Sequence, residues 1–305
     1  MTNPKERAKN TSRLSWRIQE RRNSIIFLIP TVAILLLTSV FPLLYSLYLS
    51  AFRYNMLMPG MKPRFIGFLN YIEIFQEPYF LNSLRRSVIY VASAVSIEFV
   101  IGLGLALVIT AKIKGLMFIR VALLVPLMIT PVVAGVLWRF LFNPEYGVVN
   151  FIIQIFGGDM VTWLARPNTA FASIVIVEVW QQLPVVIFIL AAGISSLPET
   201  IYESAMIDGA SSLQKFRYIT LPLLKSVIAV VLLLRIMDAF KIFDVIYTLT
   251  YGGPGKSTEV VSLFVYKQGL KYFQIGSATA MSWVFLILVL IISLFFMRRV
   301  LKEPG

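Results

Sequence analysis

The chain carries six separated apolar runs, at 25–49, 88–111, 116–142, 171–194, 223–249 and 278–297. Each reaches the roughly 20 residues that an α-helix needs to cross about 30 Å of hydrocarbon. Lipid offers no water to a backbone N–H or C=O, so every run is predicted to be a helix that satisfies its own backbone. The fold expected is therefore all-α, a polytopic membrane protein with six transmembrane helices. Composition agrees. With 58% hydrophobic residues, 14% charged residues and a mean hydropathy of +0.81, the chain is too apolar for a water-soluble domain.

Three regions follow: a basic N-terminal segment at 1–24, a six-span body at 25–298 and a tail at 299–305. The first segment holds Lys5, Arg7, Lys9, Arg13, Arg17, Arg21 and Arg22 against Glu6 and Glu20. The apolar run after it has no small-residue cleavage site, so it is expected to be retained as the first helix. An even number of spans puts both termini on one side. Lys and Arg are in excess on that side, which makes it cytoplasmic. The net charge of +13 then reflects orientation and contact with anionic lipid headgroups, with no nucleic acid implied.

The chain has no cysteine and no histidine. A disulfide framework, a thiolate metal site and the commonest general base are all missing. No metal site and no catalytic residue are expected. Nor is there a GxxxxGK[ST] phosphate loop, so any ATP and Mg used would be bound by another chain.

Charges at membrane depth are costly and usually face protein or water. Here they gather on two spans. The fourth carries Glu178, Gln181 and Gln182, followed by Pro184. The fifth carries Arg235, Asp238, Lys241 and Asp244, in steps of three that let opposite charges pair along the helix. At 1.5 Å per residue Arg235 lies ~18 Å from Leu223, near mid-bilayer. Arg235 therefore needs a partner, which Asp238 or Glu178 can supply. The cluster is either a brace between two helices or the lining of a polar cavity for a hydroxyl-rich solute. Trp180, Phe240 and Phe243 offer aromatic faces nearby, although packing is the commoner use of such residues. Pro126 and Pro131 can break the third span and free carbonyls toward a cavity. Trp138, Arg139, Asn143 and Glu145 suggest either an interfacial anchor or a docking point for an outer partner.

The longest polar interval of the second half is 196–222. Ser196 with Glu199 and Ser211 with Gln214 have capping-box spacing, Pro198 suits a first helical turn, and Gly209 suits a helix stop. Pro222 bars an unbroken run into the fifth span. Two short helices with a hinge are expected. In the outer loops, Phe68, Tyr71, Ile72 and Phe75, then Val149, Ile152, Ile153 and Phe156, then Val261, Phe264, Val265 and Tyr272 have helical spacing. Short helices lying at the interface are expected there. Gly252, Gly253, Pro254 and Gly255 form a turn.

The spacing Glu203, Ser204, Ala205, Gly209, Ile219, Leu221, Pro222 resembles the signature loop of the membrane subunits of binding-protein-dependent ABC importers. Ser204 stands where that family usually has alanine. The stretches at 124–150 and 243–254 resemble the carbohydrate-uptake branch of the same family, its maltose-type first permeases. The likeness covers roughly 25–298. It implies a type I importer fold, with the 196–222 loop coupling to separate ATPase subunits through Glu203, Ser204, Ala205, Asp208, Gly209, Ile219, Leu221 and Pro222. It also implies a second homologous permease subunit, two cytoplasmic ATPase subunits and an extracytoplasmic solute-binding protein. The location implied is a bacterial cytoplasmic membrane. Sugar-contacting positions carried over from the family fall on Glu178, Gln181, Gln182, Arg235, Ala239, Ile242, Leu127 and Pro131, and Asp238 joins them by its place in the charge cluster. No cofactor is implied in this chain. An ion-coupled secondary sugar carrier is the rival class, and glycerol 3-phosphate or a polyol the rival solute, with Arg235 as the group that would meet a phosphate.

Overall fold

The computed structural model describes residues 27–57, 62–111 and 116–301. The basic segment at 1–24, Lys112 and Lys114 lie outside the described residues.

Helix α1, Phe27–Ser50, is a full span. A small antiparallel pair follows, β1 at Phe52–Arg53 and β2 at Arg64–Phe65, in the register Phe52 to Phe65 and Arg53 to Arg64. The all-α expectation did not include this pair. It closes the first loop so that α2, Leu69–Gln76, can tuck beneath the end of α1. There Asn70 Nδ2 donates to the carbonyls of Ser50 and Phe52 at 2.7 and 3.0 Å.

Helix α3, Pro78–Thr110, and helix α7, Pro167–Ser195, are the long central spans. Of the apolar window of α7, 56% is buried, against 39% for α3, 11% for the last span and none for α1. The bundle is therefore organised around α7, with α1 at its edge. Large apolar side chains such as Leu28, Leu37, Phe41 and Tyr48 remain exposed, as hydrocarbon solvent permits.

The third span is not one straight helix. It consists of α4, Leu116–Leu124, a tight turn at Val125–Met128, and α5, Pro131–Leu141. The two arms meet at 103°. Pro126 sits in the tight turn and Pro131 in the first turn of α5, where a missing N–H leaves no bond unmade. After α5 comes α6, Val148–Ile155, as its spacing foretold.

The polar interval folds into α8, Glu199–Ile207, and α9, Ser212–Leu223, and α9 meets α10, Lys225–Ala239, at 66°. The fifth span thus ends earlier than its apolar run. Lys241 and Ile242 complete a turn, and α11, Asp244–Leu249, starts afresh. Helix α12, Val261–Tyr266, is not interfacial: Val261 and Phe264 are buried with Ile74, Phe80 and Met281. Helix α13, Ile275–Leu301, closes the bundle and packs along α1. Among the described residues, four helices are long and apolar enough to cross a membrane, and the two bent pairs bring the crossings to six when each is one span.

Candidate functional site

Arg235 projects from the C-terminal half of α10 into the packed centre and is 3% exposed. Three carboxylates surround it. Its Nε donates to Glu98 Oε2 at 2.8 Å and its Nη2 to Glu98 Oε1 at 3.2 Å. Nη2 also donates to Glu178 Oε1 at 2.7 Å, and Nη1 to Asp238 Oδ2 at 2.9 Å. Four of the five guanidinium N–H groups are thereby used, in the bidentate geometry that makes such bonds strong. Asp238 is half exposed and shares its other oxygen with Lys241 Nζ at 2.9 Å. The cluster joins α3, α7 and α10.

Sequence reasoning foresaw Glu178 and Asp238 as partners and missed Glu98, the fully buried third carboxylate. One signal was present. Glu98 is a lone carboxylate within the second apolar run, where an unpaired charge is too costly to stand.

Beside this cluster lies a cavity of about 180 Å³, lined by Glu178, Gln181, Gln182, Asp238, Lys241 and Ile242, with Pro131, Phe243, Asp244 and Val245. Its floor depends on the broken third span. The break leaves the Ile129 carbonyl without a helical donor, and Gln181 Nε2 supplies one at 2.7 Å. The freed carbonyl anticipated from the prolines is therefore real, and an amide of α7 takes it up. Gln181 is thus committed at one end. Gln182 is partly exposed toward the space.

The structure brings together Glu178, Gln181, Gln182, Asp238, Ile242 and Pro131 at this cavity. It does not bring the rest. Leu127 sits on the tight turn, 38% exposed, away from the lining. Arg235 and Ala239 are buried behind the wall, because α10 turns them toward α3 and α7. Of the aromatic faces, Phe240 is buried against Phe285 at 6.0 Å, and Trp180 meets Trp138 edge-on at 5.5 Å. Only Phe243 of the three lines the space. Trp138 is no headgroup anchor, since it packs between Trp180 and Phe142 with its Nε1 buried. Asn143 Oδ1 instead accepts from the Glu145 and Tyr146 N–H groups at 2.9 and 3.3 Å and shapes the loop.

At the opposite end of α10 stands the polar hairpin. The second capping box is made: Gln214 N–H donates to Ser211 Oγ at 3.3 Å, and Ser211 N–H donates to Gln214 Oε1 at 2.8 Å. The first is not. Pro198 occupies the N-cap of α8, and Ser196 Oγ turns back to the Gly193 carbonyl at 2.7 Å. Gly209 ends α8 with φ +77°, a left-handed value for which glycine is suited. Tyr202 and Thr220 hydroxyls, 2.9 Å apart, tie α8 to α9. Glu203, Ser204, Asp208, Gly209 and Pro222 are exposed, and Ala205, Ile219 and Leu221 are half-buried. Around them Met206, Ile207, Leu213 and Tyr218 also lie bare.

Residues 116–302 match the family of binding-protein-dependent transport system inner membrane components. A probable ABC transporter permease protein of Sinorhizobium fredii is 39% identical over 88% of this chain and 86% of its own length. A trehalose/maltose transport system permease protein of Thermococcus litoralis is 36% identical over 88% of this chain and 90% of its own. Among solved structures, a chain of a bacterial alginate ABC transporter, in complex with an alginate pentasaccharide-bound periplasmic protein, superposes with a TM-score of 0.81. That chain is 24% identical, and the match covers 96% of this chain and 99% of that one, which establishes the same fold.

Proposed function

The chain belongs to the family of binding-protein-dependent transport system inner membrane components, and on that premise we propose that it forms one wall of a sugar-translocating pore. It is a transporter permease of the ABC importer type and a multi-pass membrane protein, not an enzyme. The second wall is a homologous permease subunit. Two cytoplasmic ATPase subunits bind ATP and Mg and grip the 196–222 hairpin, and an extracytoplasmic binding protein delivers the solute. The membrane is the bacterial cytoplasmic membrane, with both termini inside.

The cavity between the third-span break and the charge cluster carries this reading. Carboxylates and amides accept and donate to hydroxyls, and the lining places them beside an aromatic edge, the usual make-up of a sugar site. The wall favours an electroneutral solute. Lys241 is the one cation among the lining residues and is paired to Asp238, while Glu178, Asp238 and Asp244 present negative charge. Arg235, the group that would meet a phosphate, is enclosed by carboxylates. A neutral sugar or polyol therefore fits better than glycerol 3-phosphate. The hairpin, with its bare apolar tip, suits an ATPase dock and has no use in an ion-coupled carrier.

The test is uptake by the reconstituted complex, beside the yield of detergent-extracted complex. Gln182→Ala is expected to weaken uptake up to roughly tenfold, one hydrogen bond, at normal yield, while Glu178→Gln, which also loses the buried ion pair to Arg235, is expected to lower both uptake and yield. Normal uptake in both variants would remove the cavity from the solute path.

A further inference from the structure

The cavity does not end at Phe243. Phe243, Tyr247 and Tyr251 stand four residues apart, on one face of α11 and the residues flanking it. Phe243 stacks on Tyr247 with ring centres 5.3 Å apart, and Tyr247 meets Tyr251 edge-on at 5.1 Å. Tyr266 of α12 supports both inner rings, at 4.9 Å from Phe243 and 5.6 Å from Tyr247. The other face of α11, Val245, Ile246 and Leu249, is buried in the core. The ring face is not: Tyr247 is 37% and Tyr251 39% exposed. The row leaves the cavity at the end of α10 remote from the hairpin.

Tyr251 is held there against its own preference. Its φ is +52°, a left-handed value that a bulky residue rarely adopts, although the next two residues are glycines that take such values freely. Packing alone does not call for a tyrosine at that point, because the ring is not buried. Lys267 Nζ, 3.0 Å from the Tyr251 carbonyl and 4.6 Å from its ring centre, fixes its place. Strain kept at an exposed side chain is a mark of use.

We propose that Phe243, Tyr247 and Tyr251 form an outer carbohydrate-binding ledge, which receives a pyranose ring and passes it to the cavity. The proposal rests on the reading of the solute as a sugar. A pyranose has an apolar C–H face and a rim of hydroxyls. The ledge offers flat rings for the face, and the Asp244 carboxylate for the rim. A row of adjoining rings gives a sliding sugar an aromatic contact at each step, so that no position traps it. The face is open because it is solute-bearing; a second permease subunit seated on it is the rival occupant.

The experiment uses the complete reconstituted complex with its binding protein, and radiolabelled maltose, trehalose, lactose, cellobiose and raffinose as probes. The variants are Tyr247→Phe, Tyr247→Leu and Tyr251→Leu. Tyr247→Phe keeps the ring and is expected to stay within about twofold of the parent. Each leucine variant is expected to lose uptake about five- to tenfold, the worth of one aromatic contact, with complex yield and solute-free ATPase activity unchanged. Equal uptake by the leucine and phenylalanine variants overturns the ledge. Complex yield that falls in step with uptake overturns it too and gives the face to the second subunit. If the unsubstituted complex moves none of the five sugars while its binding protein still stimulates ATP hydrolysis, the sugar reading itself fails and the ledge with it.

Discussion

Arg235 shows how one buried charge can dictate the neighbours of three helices. A cation at mid-bilayer is tolerable only with partners, and each carboxylate that answers it is in turn tolerable only because Arg235 is there. Arg235→Met is therefore expected to cost about 3–5 kcal/mol, because it strands Glu98 and Glu178 without a counter-charge. The measurement is the thermal midpoint and extracted yield of the complex. The double variant Glu98→Gln with Arg235→Met should recover a large part of that loss; no recovery would mean that the two side chains contribute independently. The pairing along α10 was legible in the sequence, since three-residue steps of alternating charge declare themselves. Glu98 was not. It lies 137 positions from its partner, and nothing local to it says which helix it faces.

At the scale of elements, the molecule depends on where helices stop. The prolines of the third span announced a break, but not its 103° bend or the amide that Gln181 sends into it. Those depend on how α7 packs, which periodicity along one segment does not encode. The same holds for the first capping box of the hairpin, where suitable residues were present and Pro198 took the cap position instead. Two consequences can be measured. Gly209→Pro forces a φ near −65° onto a residue that sits at +77°, so the hinge between α8 and α9 must rearrange. Binding-protein-stimulated ATPase activity is expected to be lost while insertion in the membrane persists; wild-type stimulation would sink the coupling role. Gly135 lets α5 press against α11, since an added Cβ would stand 1.9 Å from Thr248 Oγ1 and 3.2 Å from the Val245 carbonyl oxygen. Gly135→Val is expected to push α11, with Phe243 and Asp244, off the cavity. Uptake should fall at least tenfold, against a stability loss of about 1–3 kcal/mol for the overpacking. A variant that transports normally would show that the position of α11 is immaterial.

At the scale of the whole molecule, six apolar runs were enough to foretell a polytopic helical bundle. Periodicity does not tell a surface that meets a partner from one that meets lipid, because both are apolar. The polar cavity and the ring face lie along α10 and α11. The purified chain alone in liposomes is expected to take up no sugar and to hydrolyse no ATP. Robust uptake under those conditions would favour the ion-coupled carrier. The peripheral place of α1 carries a consequence for how such a molecule is made. Its flank rests on α13, where Trp283 Nε1 donates to Ser46 Oγ at 3.1 Å across 237 positions of chain. Ribosomes deliver α1 long before α13. The first helix must therefore stand without α13 until that helix is made, steadied at one end by Asn70 and Tyr71 soon after it emerges. Membrane insertion of the nascent chain and completion of its fold are thus separate events in time.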